Sequence, residues 1–301
     1  MENLILLGVC FLAGVLLRQM NRMPQETPAV LNGFVIHVSL PALILLYLHD
    51  LVLFPEVILI AAMPWFHFGI ATCFFLIAGK IFGFSRQTTG ALILTGGLGN
   101  TSFVGFPMIE AFYGKNALVY GIVVDQLGSF MVLSTLGLLI VGIFADGKPS
   151  FSGIIRAIIA FPPFMAMVAA LFLMSYQYPE WLFGLLTRLG DTLAPTALFS
   201  VGFQFSPVDF RGNIRELALG LSFKLLLAPL LLTLLYTGFF GLHGQALRIT
   251  LFEAAMPPMI TAGILASAQG LNPRLASLMV SAGIPLSFLT LAFWWYVLGA
   301  V

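Results

Sequence analysis

The chain has 301 residues, of which 60% are hydrophobic and 8% charged, with a formal net charge of +1 at pH 7. An ordinary soluble domain carries about 25% charged residues, so a soluble fold is excluded and an all-α integral membrane protein is implied. The near-neutral balance and the lack of any Lys/Arg-rich run give no nucleic-acid-binding surface.

In chain order, the apolar segments run Leu4–Met20, Ala29–Leu48, Val57–Phe82, Thr88–Tyr113, Leu118–Phe144, Ile154–Met174, Trp181–Phe205, Leu217–Phe240, Ala246–Ala268 and Leu275–Leu298. That is ten expected transmembrane helices, most of them near the ~20 residues a crossing needs. Met1-Glu2-Asn3-Leu4 has neither a positive n-region nor a cleavage pattern soon after it, so the first segment is expected to be a retained span. The connections are short, with turn chemistry at Met23-Pro24-Gln25, Asp50 to Pro55, Ser85-Arg86, Gly114-Lys115, Asp146 to Pro149 and Gly212-Asn213. Cys10 and Cys73 fall inside apolar segments and are expected to be buried thiols. Trp294-Trp295-Tyr296 reads as an interfacial belt.

Basic residues set the orientation. The odd-numbered connections and their flanks hold Arg18, Arg22, Lys80, Arg86, Lys148, Arg156, Arg211, Arg215 and Arg274; the even-numbered ones hold Lys115 and Arg248. Odd loops are therefore expected in the cytoplasm, and both termini outside a plasma (inner) membrane that the chain crosses many times.

Two spans are interrupted. Gly96-Gly97-Leu98-Gly99-Asn100-Thr101-Ser102-Phe103-Val104-Gly105-Phe106-Pro107 places helix breakers in span four, and Phe252 to Thr261 places Pro257-Pro258 in span nine. Irregular backbone at bilayer depth is tolerated where protein buries it or where it lines a cavity. Paired interruptions in corresponding positions point to a secondary transporter. The halves also align: Ser39-Leu40-Pro41-Ala42-Leu43 matches Leu193-Ala194-Pro195-Thr196-Ala197-Leu198, and Gln87 to Gly114 matches Gln245 to Gly270. Five spans per half give opposite orientations, so the expected fold is an inverted five-plus-five repeat, 1–145 and 150–301, with the broken spans crossing near the midplane.

The run Gly99 to Ile109 with Gly114, the stretch Lys224-Leu225-Leu226-Leu227-Ala228-Pro229, and the ending from Ala255-Met256-Pro257-Pro258 to Leu286-Ser287-Phe288-Leu289-Thr290-Leu291 resemble the auxin efflux carrier family over nearly the whole chain. The resemblance is to its small bacterial members, which lack the long central loop of the plant proteins. It implies a fold shared with bile acid/sodium symporters, with spans 1, 2, 6 and 7 as scaffold and spans 3–5 and 8–10 as a mobile transport domain. It also implies small organic acids such as malonate, malate or auxin-like carboxylates as substrates. Unlike plant members, this chain has no Asn at the second break, which moves polar contacts onto span four and Thr261.

Asn100, Thr101 and Ser102 at the first break and Met256, Pro257, Pro258 and Thr261 at the second form the expected substrate site. Amide, hydroxyl and half-helix N-termini there can hold a carboxylate; the bland alternative is that Asn100 caps a kinked helix. Ionisable residues inside spans cost upward of ~2.5 kcal/mol at the bilayer centre. Asp125, Gln126 and Glu253 are thus candidates for ion or proton coupling, or else pair with a cation or cap freed backbone. His37 and Asp191, each one turn before a matching proline, join that group, although packing explains a lone His more often. Arg188 and Asp191, three apart, are expected to pair. Lys224 either snorkels to the interface or supplies charge to an anion. Glu110 lies nearer an interface.

No HExxH or GxSxG occurs, and His37, His49, His67 and His243 lack ligand spacing, so neither an enzyme nor a metal site is expected. No cofactor is expected. Coupling to H+ or Na+ and assembly as a homodimer in the lipid bilayer stay open. The expected function is a secondary transporter of a small organic anion working by alternating access; a substrate-gated channel or sensor is the alternative.

Overall fold

The computed structural model describes residues 2–48, 56–145, 159–174, 176–205, 213–240 and 243–300. Its helices are α1 (Glu2–Gln19), α2 (Thr27–Leu48), α3 (Glu56–Phe82), α4 (Arg86–Gly97), α5 (Phe106–Tyr113), α6 (Lys115–Phe144), α7 (Pro162–Phe172), α8 (Glu180–Gly190), α9 (Leu193–Gln204), α10 (Ile214–Phe240), α11 (Gly244–Ala254), α12 (Ile260–Ala268) and α13 (Pro273–Gly299). Of these, α2, α3, α6, α10 and α13 are long and apolar enough to cross a membrane. The chain is thus the all-α membrane protein that its composition implies. His49, the expected loops at Asp50–Pro55 and Asp146–Pro149, the first residues of the sixth expected span, Gly212, and the basic residues Lys148, Arg156 and Arg211 lie outside the described residues.

Prolines shape several helices. A proline lacks the N–H that would bond the carbonyl four residues back, and its ring collides with that carbonyl. Three π-helical turns, Val35–Ser39, Thr101–Gly105 and Phe223–Leu227, each end two residues before a proline: Pro41, Pro107 and Pro229. Widening the preceding turn lets the backbone continue past the missing donor. At Pro195 the helical hydrogen bonding is instead interrupted at Asp191-Thr192, which keep helical dihedrals, so the span expected at Trp181–Phe205 consists of two helical pieces, α8 and α9. At Pro229 the freed carbonyl is that of Leu225, and the Trp294 indole N–H donates to it at 2.8 Å. Trp294 is therefore a buried tie and not part of an interfacial belt; Trp295 and Tyr296 are exposed.

The chain forms two compact units. The first comprises Met1–Phe54, Ser102–Ile122 and Arg156–Pro207. In it α1 lies directly on α9, because Gly14 and Gly202 leave no side chain between the helices: a Cβ at Gly14 would strike the backbone of Phe199 and Phe203, and one at Gly202 that of Phe11. The two aligned proline motifs also meet here, with the Ser39 and Thr192 hydroxyls 2.7 Å apart. Ser200 donates to Asn32 Oδ1 at 2.6 Å.

The second unit comprises Pro55–Thr101, Val123–Ile155 and Val208–Val301. Its core joins Phe68 and Phe75 of α3, Leu92 and Leu94 of α4, Leu221 and Leu225 of α10, and Leu275 and Met279 of α13. The Phe223 ring stacks on Phe74 at 4.6 Å and meets Phe75 edge-on at 4.9 Å. Large apolar side chains point outward, including Ile5, Val9, Leu12 and Leu16 of α1 and Ile77 and Ile81 of α3. In hydrocarbon that outward face costs nothing. Cys73 shares it: the thiol expected to be buried is exposed, and Cys10 is half-buried.

Candidate functional site

The two interruptions lie together in the second unit. Helix α4 stops at Gly97, and Leu98 turns extended (φ −116°, ψ 126°). Helix α11 stops at Ala254, and Met259 is extended (φ −65°, ψ 128°) before α12 begins. Between them Gly99 and Pro258 form an antiparallel bridge. The Asn100 N–H donates to the Pro257 carbonyl at 2.8 Å, and the Met259 N–H donates to the Leu98 carbonyl at 3.0 Å. Unwound backbone inside a membrane must find partners within the protein, and each break supplies the other. Pro257 and Pro258 suit this arrangement because they contribute carbonyl acceptors without adding donors. Gly99 lies among these groups: a Cβ there would be in van der Waals contact, 3.4 Å from Lys224 Nζ, 3.6 Å from the Glu253 carbonyl oxygen and 3.7 Å from Met256 Cβ.

Polar side chains gather around this crossing, all of them buried: Asn100, Thr101, Asp125, Gln126, Lys224, Glu253 and His67. Asp125 and Gln126 come from the π-helical turn Val124–Ser129 inside α6. Asp125 accepts from the Thr101 hydroxyl through Oδ1 and from Gln126 Nε2 at 2.7 Å through Oδ2. Lys224, from the π-helical turn of α10, is 0% exposed and donates to the Ala254 carbonyl at 3.1 Å. Glu253 is 1% exposed, and neither carboxylate oxygen has a hydrogen-bond partner among the described residues. Its electrostatic neighbours are Asp125 and Lys224, and Lys224 also faces His67. A His67 ring nitrogen lies 3.2 Å from the Gly96 carbonyl oxygen.

Most expected site residues are thus brought to one place. Met256, Pro257 and Pro258 are buried at the crossing with Asn100, Thr101, Asp125, Gln126 and Glu253, whereas Ser102 is half-buried and Thr261 is exposed on the first turn of α12. His37 and Asp191 belong to the first unit and are exposed. His37 Nδ1 is 2.9 Å from the Gly33 carbonyl of its own helix. Asp191 pairs with Lys115 and not, as its spacing suggested, with Arg188; Glu110 stands 3.9 Å from the same ammonium. Lys224 does not snorkel, since its ammonium is inside the crossing. His67, dismissed for lack of ligand spacing, is drawn in by the freed Gly96 carbonyl. The sequence signal for both was a titratable residue deep in an apolar span.

Chemically, the crossing offers helix ends of both polarities, one buried lysine amine, two buried carboxyl groups and neutral hydrogen-bonding groups. Among the described residues no three His, Cys, Asp or Glu side chains converge to hold a metal ion.

Comparison with known proteins adds family-level information. The sequence matches the family model described as "Membrane transport protein" over residues 1–152 and 150–295. An uncharacterised transporter of Methanothermobacter thermautotrophicus is 26% identical over 301 residues, covering 99% of this chain and 98% of that protein. An uncharacterised transporter of Methanocaldococcus jannaschii is 23% identical over 309 residues, again covering 99% and 98%.

Proposed function

Because the chain belongs to the membrane transport protein family, whose members are the auxin efflux carrier-like transporters, we propose that it is a secondary active transporter of a small organic anion, a carboxylate, and that the crossing of its two interrupted helices is the transport site. The observation that carries the reading is the reciprocal pairing of Leu98 to Asn100 with Pro257 to Met259. A helix is not broken at bilayer depth without need, and here two are broken at the same place around charged groups. Half-helix N-termini and the Asn100 amide suit an anion. Asp125, with Gln126, and Glu253 are the groups through which H+ or Na+ would be coupled.

The finer architecture follows the same reading. Ten spans form an inverted five-plus-five repeat in the plasma membrane, with both termini outside. Spans 1, 2, 6 and 7 serve as scaffold, and spans 3–5 and 8–10 as the moving part in elevator-like alternating access, with a homodimer as the assembly.

A thermal-shift screen of the detergent-purified protein against mono- and dicarboxylates tests the substrate class, since a ligand that binds only the native state raises stability by mass action. The expected result is stabilisation of the wild type by at least one carboxylate and its loss in Asn100→Ala, which still purifies folded. Stabilisation that survives Asn100→Ala moves the site elsewhere, and silence across the panel rejects the carboxylate reading. Counterflow, in which substrate on the far side speeds exchange, separates a carrier from a channel.

A further inference from the structure

The crossing holds a lysine of its own. The Lys224 ammonium donates at 3.1 Å to the carbonyl of Ala254, the last residue of α11. It lies beside Gly99, two residues past the end of α4, where an added Cβ would touch it at 3.4 Å. Helix C-termini leave carbonyls without intrahelical partners and carry partial negative charge. In transporters with interrupted helices, such ends and the unwound carbonyls next to them coordinate a coupling metal cation. In this protein the side chain of α10 reaches that position and delivers a covalently tethered positive charge.

The surrounding groups fit a resident ammonium. Glu253 immediately precedes Ala254, is fully enclosed, and has both carboxylate oxygens without hydrogen-bond partners among the described residues. It faces Lys224 and Asp125 electrostatically. From α3 the remaining titratable group facing Lys224 is His67. Helices α4 and α13, which also pack on the Phe223–Leu227 turn, carry Arg86 and Arg274 at their first turns, away from it. With both carboxylates ionised and Lys224 charged the trio carries a net −1, and one proton brings it to zero, so neutrality at bilayer depth needs no metal ion.

We propose that the Lys224 ammonium fills the cation seat at the C-terminal end of α11, so that this carrier binds no Na+ at its crossing. The inference rests on the crossing being the transport site and adds which ion it excludes. Its test needs no substrate, so its failure is distinguishable from failure of the carboxylate reading.

The test is thermal unfolding of the full-length detergent-purified protein in NaCl against choline chloride at equal ionic strength. For the wild type the two Tm values are expected to agree within about 1 °C. Lys224→Met vacates the seat and is expected to gain a Na+-specific rise of about 2–4 °C, which Glu253→Gln in the same chain removes. Should Lys224→Met fail to fold, Lys224→Gln is read in the same way. A Na+-specific rise in the wild type, or none in the folded Lys224 variants, overturns the proposal.

Discussion

Asp125 receives two hydrogen bonds inside an apolar span, from the Thr101 hydroxyl and the Gln126 amide. A carboxylate with both oxygens committed has little freedom to change partners, whereas Glu253 has neither oxygen hydrogen-bonded among the described residues. Thr101→Val deletes one donor at constant shape. We expect it to lower stability by about 1–2 kcal/mol, within the range for hydrogen bonds to charged groups after the discount seen in membranes. Thr101→Ser should recover most of that loss in thermal unfolding. At this scale the sequence was readable where a residue was out of place. Asp125, Glu253 and Lys224 each stood out in an apolar span. Their directions did not, because which way a side chain points depends on the turn that carries it. Asp191 shows the limit: Arg188, three residues away, was the local partner, and the actual one is Lys115, 76 positions distant.

The helices are governed by their prolines and glycines. Gly14→Val should force α1 off α9, giving protein that no longer purifies as a monodisperse species, because the clash is with backbone. Gly8→Ala in the same helix meets nothing within 4 Å and should change Tm little. Trp294→Phe removes the indole donor from the Leu225 carbonyl. It should cost about 1 kcal/mol or more, against no measurable change for the exposed Trp295→Phe. Both interruptions were legible, because glycine pairs and successive prolines are costly inside a span. The bridge between Gly99 and Pro258 was not, since backbone pairing leaves no side-chain signature. Nor were the π-helical turns: a proline announces that a hydrogen bond is missing without saying whether the helix will widen, as before Pro41, or have its bonding interrupted, as before Pro195.

For the whole molecule, the basic residues of the odd-numbered connections predict both termini outside the cytoplasm. An alkaline phosphatase fusion at the C-terminus should be active and a green fluorescent protein fusion dark; the reverse pattern would place the C-terminus in the cytoplasm and overturn that orientation. The crossing also sets a schedule for the molecule's birth. Gly99 and Pro258 are bonded partners separated by about 160 residues, which a ribosome at about 5–20 residues per second takes about 8–30 s to traverse. During that interval the Leu98 carbonyl and the Asn100 N–H are already made while their mates do not exist, and hydrocarbon cannot shelter them. The nascent first half must therefore be attended by water, lipid headgroups or the insertion machinery until α11 and α12 arrive. Chains truncated before Gly244 should be cleared by quality-control proteases, however well their early helices insert.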